Sequence, residues 1–188
     1  LQAGTAADLV ALSRQRTLTM ASAGTGSVLH LIGEHLQDRM GVRWTHVPYR
    51  GSGPAFADLI AGNVDLMVDV VPTSAPLLAG GQARAFFVTM PARAPQLPDV
   101  PTSAEAGVGE LDMGSWMALL APRGTPGAVV ATLNAALNEA LTDAATRERL
   151  VTSGAVPVGG DAAALAARVA SESRLWASII RAGNIQAE

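Results

Sequence analysis

Ser22-Ala23-Gly24-Thr25-Gly26-Ser27, with His30 one turn further on, is the stretch that decides how the first part of this chain folds. An apolar run, Leu18-Thr19-Met20-Ala21, comes before it, and the amphipathic pattern from Val28 to Met40 comes after. Strand, glycine turn and fresh helix follow one another within a few residues. Glycine lets the backbone turn tightly and approach a ligand closely. The first turn of a helix carries N–H groups with no partner in the helix, so such a corner is suited to an anion. The stretch is not a phosphate loop, because no Gly-Lys-Ser/Thr follows. Nor does it complete a dinucleotide fingerprint.

The same alternation continues on both sides. Thr5 followed by Ala6-Ala7-Asp8 predicts a capped helix running to about Arg16, and Thr17 to Ser22 a short buried strand. Val28, Leu29, Ile32, Leu36 and Met40 share one face of a helix that Gly41 ends. Strands are predicted over 43–48, 64–70, 83–90 and 113–120. Helices are predicted from Pro54 to Ala61 and from Pro72 to Gly80-Gly81. The four prolines between Pro91 and Pro101 predict a rigid loop. Strands alternating with helices over short links indicate an α/β domain with a mostly parallel sheet. From Pro122 onward the pattern is helical: a long helix opened by Thr125-Pro126, a second piece from Ala144 to Ser153, and a last one from Asp161 to about Arg181.

Composition narrows the function classes. Of the 188 residues, 49% are hydrophobic and only 4% aromatic, and mean hydropathy is +0.28. A substantial core is therefore available and disorder is not expected. Net charge is −3 with no basic cluster, which argues against a nucleic-acid partner. No apolar run approaches the roughly 20 residues of a membrane-spanning helix. Cysteine is absent, which removes disulfides and thiolate metal sites. The three histidines have no metal-binding spacing, and neither a metal nor another cofactor is expected. The chain opens on Leu1-Gln2-Ala3, without an initiator Met or a signal peptide, and reads as processed or truncated.

An ordered set of short motifs resembles a known family. It comprises Gly24-Thr25-Gly26-Ser27 with His30, His46-Val47-Pro48-Tyr49-Arg50-Gly51 and Ala61-Gly62-Asn63-Val64-Asp65. Pro98-Asp99-Val100-Pro101-Thr102 with Glu105 and Gly107, Trp116, and Ala121-Pro122-Arg123-Gly124-Thr125-Pro126 complete it. Together these resemble the C-terminal part of the tripartite tricarboxylate transporter receptor family, the Bug or TctC-like extracytoplasmic solute-binding proteins. The resemblance implies a Venus-flytrap receptor of the type II periplasmic-binding-protein class. Such a receptor captures a small organic acid, a mono- or dicarboxylate, and delivers it to membrane transporter subunits. Members hold the ligand carboxylate through backbone N–H groups, small hydroxyls and waters. By the same resemblance, residues 1–121 are the second α/β lobe and residues 122–188 a helical return segment of the first lobe. The N-terminal part of that first lobe is missing from this sequence. The implied location is periplasmic. Apolar surface left without the first lobe would favour self-association.

Within the lobe, the ligand-binding candidates are Ser22, Gly24, Thr25, Gly26, Ser27, His30, Tyr49, Arg50, Gly51, Asp69 and Thr73. Ligands of open α/β sheets bind beyond the carboxyl ends of the strands, where these residues fall. Each has a plainer reading. The glycine corner also serves as a tight link. An imidazolium at His30 would be disfavoured by the helix dipole, so a neutral ring either donates to ligand or carbonyl or fixes the turn. Tyr49 offers a flat wall with a hydroxyl, and Arg50 either pairs with a carboxylate or sits on a rim, its backbone being the better candidate. Asp69 accepts from a ligand or water, or caps the following helix. His35, His46, Asp58 and Asp65 read as structural, Trp116 and Trp176 as packing. Ser27 and His30 are helix neighbours with no acid placed to orient the ring, so no catalytic set is evident and an enzyme is not expected. Two other readings remain: a ligand-sensing domain of a transcription regulator, preceded by a DNA-binding helix-turn-helix, and a truncated remnant that binds nothing.

Overall fold

The computed structural model describes residues 1–186 and divides into two compact units, Leu1–Ser115 with the chain from Ser178 onward, and Trp116–Ala177. In the first unit, helix α1 (Ala6–Gln15), strand β1 (Leu18–Ser22), helix α2 (Val28–Met40) and strand β2 (Trp44–Pro48) are followed by helix α3 (Ser52–Ala61), strand β3 (Leu66–Met67) and helix α4 (Val71–Ala79). The strands form one parallel sheet in the order β2-β1-β3. β1 is central: Leu18 pairs with Trp44, Ser22 with Pro48, Met20 with Leu66 and Ala21 with Met67. Leu18, Met20 and Ala21 are wholly buried, as a strand covered on both faces must be.

Local chemistry sets the boundaries. Thr5 and Asp8 form a capping box, the Asp8 N–H donating to Thr5 Oγ1 at 3.1 Å and the Thr5 N–H to Asp8 Oδ2 at 2.9 Å. Ser27 caps α2, and Gly41, at φ 63°, ends it in the left-handed conformation. α2 buries Leu29, Ile32, Leu36 and Met40, the face expected from its period. At Gly33 the Met20 side chain of β1 occupies the space a side chain would need: a Cβ there would lie 2.3 Å from the Met20 sulfur. At the amino ends of the strands, Asp65 fastens β3 to β1. Its carboxylate accepts the Thr19 N–H at 2.9 Å and two Arg16 N–H groups at 2.5 and 3.0 Å, while its own N–H donates to the Thr19 carbonyl at 3.2 Å.

Three predicted strands differ from what forms. The one over 64–70 contracts to Leu66–Met67. The one over 83–90 survives as a single bridge, Val88 with Thr102, made by the Val88 N–H to Pro101 and the Ser103 N–H to Val88. The one over 113–120 does not form: the Met113 N–H donates to the Thr89 carbonyl and the Thr89 hydroxyl to the Met113 carbonyl, and the pairing stops there. The apolar composition of these runs matches strands, but a ladder needs successive partners along an edge. Beyond Ser115, Met117 and Leu120 are 94% and 78% exposed.

The second unit holds helices α5 (Gly127–Thr142), α6 (Ala144–Thr152) and most of α7 (Ala162–Ala182). Asn138 clasps the turn before α7, its Oδ1 accepting the Gly160 N–H at 2.8 Å and its Nδ2 donating to the Gly160 carbonyl at 2.9 Å. The Trp116 indole donates to Glu172 at 2.8 Å under the Arg168 guanidinium, and the Trp176 indole shares that carboxylate at 3.3 Å. Both indoles are therefore polar partners; Trp176 is half-buried, while Trp116, expected to pack, is exposed.

Two stability outcomes follow. Arg16 holds the Asp65 carboxyl below its ordinary value of 3.8. Because the folded value is depressed, this contribution is complete above that ordinary value and is withdrawn as pH falls through the folded one. Arg16 is half exposed, so the ionic share is small. Asp65→Asn is expected to lower urea-unfolding stability by about 1 kcal/mol at neutral pH, with the wild-type and variant curves converging as pH falls through the depressed folded value. Asn138→Ala removes the Gly160 clasp and is expected to destabilise by about 1–2 kcal/mol in the same measurement.

Candidate functional site

The parallel sheet brings the carboxyl ends of β1, β2 and β3 to one edge, and with them the segments that open α2, α3 and α4. The candidate residues all fall in these segments. Two backbone bonds hold the first two together: the Tyr49 N–H donates to the Ser22 carbonyl at 3.0 Å and the Gly51 N–H to the Ala23 carbonyl at 3.3 Å. Gly24, at φ 138°, turns toward Tyr49, whose carbonyl oxygen would be 3.5 Å from an added Cβ.

The corner is internally braced, yet it keeps donors free. The Ser27 N–H donates to the Gly24 carbonyl at 3.2 Å, and Ser27 Oγ accepts the His30 N–H at 3.2 Å. The N–H groups of Thr25, Val28 and Leu29 meet no acceptor among the described residues. At the other two helix starts the same holds for Ser52, Gly53, Val71 and Thr73. Gly26 is exposed and Thr25 and Ser27 half-buried, so the corner is open to solvent. A carboxylate at one such helix start gains typically ~0.3–1 kcal/mol from the dipole, so useful affinity needs several donors acting together.

Beneath the corner lies a polar network, buried at Ser22 and His30 and half-buried at His46. Ser22 is fully buried, and its Oγ sits 2.7 Å from His46 Nε2 while also bonding the Gly24 N–H and carbonyl at 3.2 Å each. His46 stacks on His30, with ring centroids 3.6 Å apart and planes 8° from parallel. His30 is buried and its Nδ1 accepts the Gly26 N–H at 3.1 Å. Its Nε2 lies 3.6 Å from Glu34. Burial pushes both imidazoles down, His46 to about 4 with help from His30, so both are neutral near pH 7. The His30 ring thus accepts from a backbone N–H and fixes the turn. It does not donate to a carbonyl, and it takes the Gly26 amide out of reach of a ligand.

The remaining candidates are largely committed within the chain. The Tyr49 hydroxyl donates to Asp58 at 2.6 Å, which raises the phenol and lowers the carboxyl. Asn63 also donates to Asp58 at 2.9 Å. Asp69 accepts from Ser52 at 2.6 Å, from Thr73, and from Ser74 at 3.4 Å, tying the first turns of α3 and α4. The Thr73 hydroxyl proton goes to Asp69 or to the Val70 carbonyl, leaving only lone pairs outward. Arg50 is exposed, and no described residue pairs with its guanidinium. Sequence reasoning did not find the roles of His46 and Ser52. The two-residue period of a strand places Ser22 and His46 on one face only once the register of Met20 against His46 is known. No group of three His, Asp or Glu among the described residues is placed to hold a metal ion.

Comparison with known proteins gives the family and the fold. The model of the tripartite tricarboxylate transporter family receptor, TctC, matches residues 2–185. A protein from Agrobacterium vitis, described as the UPF0065 protein in the TAR-I ttuE-ttuC′ intergenic region, is 42% identical over 169 residues, 89% of this chain and 49% of its own length. BugT of Bordetella pertussis is 34% identical over 90% of this chain and 52% of its own. The chain therefore spans about half the length of these relatives. Among solved structures, R. palustris Rpa4515 with adipate superposes with a TM-score of 0.87 at 36% identity, covering 100% of this chain and 64% of that one. MatC from Rhodopseudomonas palustris with bound malate gives 0.77 at 35% identity, covering 94% and 62%. With a family model spanning all but the ends, the chain belongs to the tripartite tricarboxylate transporter receptor family.

Proposed function

We propose that the protein containing this chain is a periplasmic receptor that captures a small organic mono- or dicarboxylate and passes it to the membrane subunits of a tripartite tricarboxylate-type transporter. Residues 1–121 supply the second lobe and residues 122–188 belong to the first. One ligand carboxylate is held at the edge where α2, α3 and α4 begin, chiefly by the free amides of Thr25, Val28 and Leu29 with the Thr25 hydroxyl, and by the amides beside Gly51. The observation that carries this reading is the cluster of unpartnered N–H groups at three helix starts on one sheet edge. Adipate and malate in two structures of similar fold support a carboxylate ligand.

The ligand is bound and released unchanged. The His30 ring is directed at the Gly26 amide and the Ser27 hydroxyl at the His30 amide, so the two do not make a nucleophile–base pair. No helix among the described residues is long and apolar enough to cross a membrane.

Val28→Pro isolates the helix-start amides. Position 28 is the first residue of α2, where proline is tolerated, and Ser27 before it is already extended at φ −65° and ψ 155°. Calorimetric titration of the full-length protein with adipate, malate and succinate is expected to show binding of at least one acid. Val28→Pro should weaken it about tenfold, the cost of one hydrogen bond to a charged group, with the unfolding midpoint unchanged. Unchanged affinity would remove this amide from the site.

A further inference from the structure

Ser22 and His30, both buried, and the half-buried His46 form a polar cluster that the capture of a ligand does not itself require. Three polar side chains in a sheet-and-helix core are costly unless all are satisfied. Here each makes at least one hydrogen bond, and the bonds lead to the corner: Ser22 to Gly24, His30 to Gly26, and His46 to Ser22. The two rings lie flat against each other at 3.6 Å, so neither moves without the other. The cluster therefore grips both glycines of the turn from below.

Resting on the receptor reading above, we propose that His30 and His46 are a positioning pair: their neutral, stacked rings hold Gly24 and Gly26 so that the Thr25, Val28 and Leu29 amides point outward, and ligand capture depends on both rings staying uncharged. The geometry gives the reason. A proton on His30 Nδ1 would face the Gly26 N–H donor, turning an acceptor into an opposing donor. A proton on either ring also places a cation against its stacked neighbour. The groups that face the pair are few. α2 contributes Glu34, 3.6 Å from His30 Nε2, β1 contributes the uncharged Ser22, and each ring faces the other. Glu34 favours the charged form of His30, while burial outweighs it. Since the folded rings bind protons less readily than free imidazole, acid pulls the corner out of shape through this pair.

The test uses the full-length protein and whichever of adipate, malate or succinate binds most tightly. Asparagine carries an oxygen close to where Nδ1 sits and does not titrate; leucine fills the space without an acceptor. His30→Leu is expected to weaken binding tenfold or more, and His30→Asn to return to within about threefold of wild type. His46→Leu, which strips Ser22 of its 2.7 Å partner, is expected to weaken binding severalfold, and His46→Gln, which restores a polar partner, to recover it. The ratio of wild-type to His30→Asn/His46→Gln affinity is then followed from pH 7 to pH 4.5 with the same acid, so that the ligand's own ionisation cancels. A fall of severalfold toward the acid end supports the pair. A flat ratio, or a His30→Leu variant that binds as wild type, overturns it. Circular dichroism at each pH verifies that the variants are folded, and should His30→Leu unfold, the ratio measured with the Asn/Gln variant decides alone. Val28→Pro run alongside separates the two levels: weakened binding there with unaffected His30→Leu rejects the positioning pair and leaves the receptor reading standing.

Discussion

Parallel pairing of β1 between β2 and β3 is the constraint on which everything else rests. Once neighbouring strands run the same way, each must be followed by a helix that crosses back, and every such helix begins at the same edge. The free amides of α2, α3 and α4 are thus gathered by topology. The pairing is short, five residues on one side and two on the other, so side chains at its opposite end reinforce it. Arg16 and Thr19 closing on Asp65 are the counterweight to the open edge with its free amides.

The open edge is electrically unusual. Its positive character comes from oriented peptide groups, while the basic side chain nearest it, Arg50, is exposed and unpaired with any described residue. Dipoles fixed in place need no reorganisation when a negative group arrives, and they impose directions on its oxygens. Their individual weakness makes alignment decisive, and alignment is what the rings beneath the corner supply. Asp69, surrounded by hydroxyls, gives the same edge one fixed acceptor among many donors.

Much of this was legible in the chain before any coordinates. Helix caps such as Thr5 with Asp8, and stops such as Gly41 and Gly62, depend on neighbours within four residues, and the sequence carries that information whole. The corner at Gly24–Ser27 was legible for the same reason. The strands beyond residue 80 were not, because an apolar run specifies a willingness to pair and says nothing about a partner. Val88 finds one in Thr102 and then loses contact. The site's lower layer was hidden for another reason: Ser22 and His46 are 24 residues apart and meet only through strand register. His30 was identified by position, yet whether its ring gives or takes a proton bond depended on Gly26 facing it across the turn.

At Gly33, α2 leaves room for a side chain of β1. With the Met20 sulfur where a side-chain carbon would stand, positions 20 and 33 share one allotment of volume. The atoms in the way are the thioether end of a flexible side chain, so bulk added at 33 is admitted only as Met20 swings aside, and the helix then gains its volume at the expense of the strand's side chain.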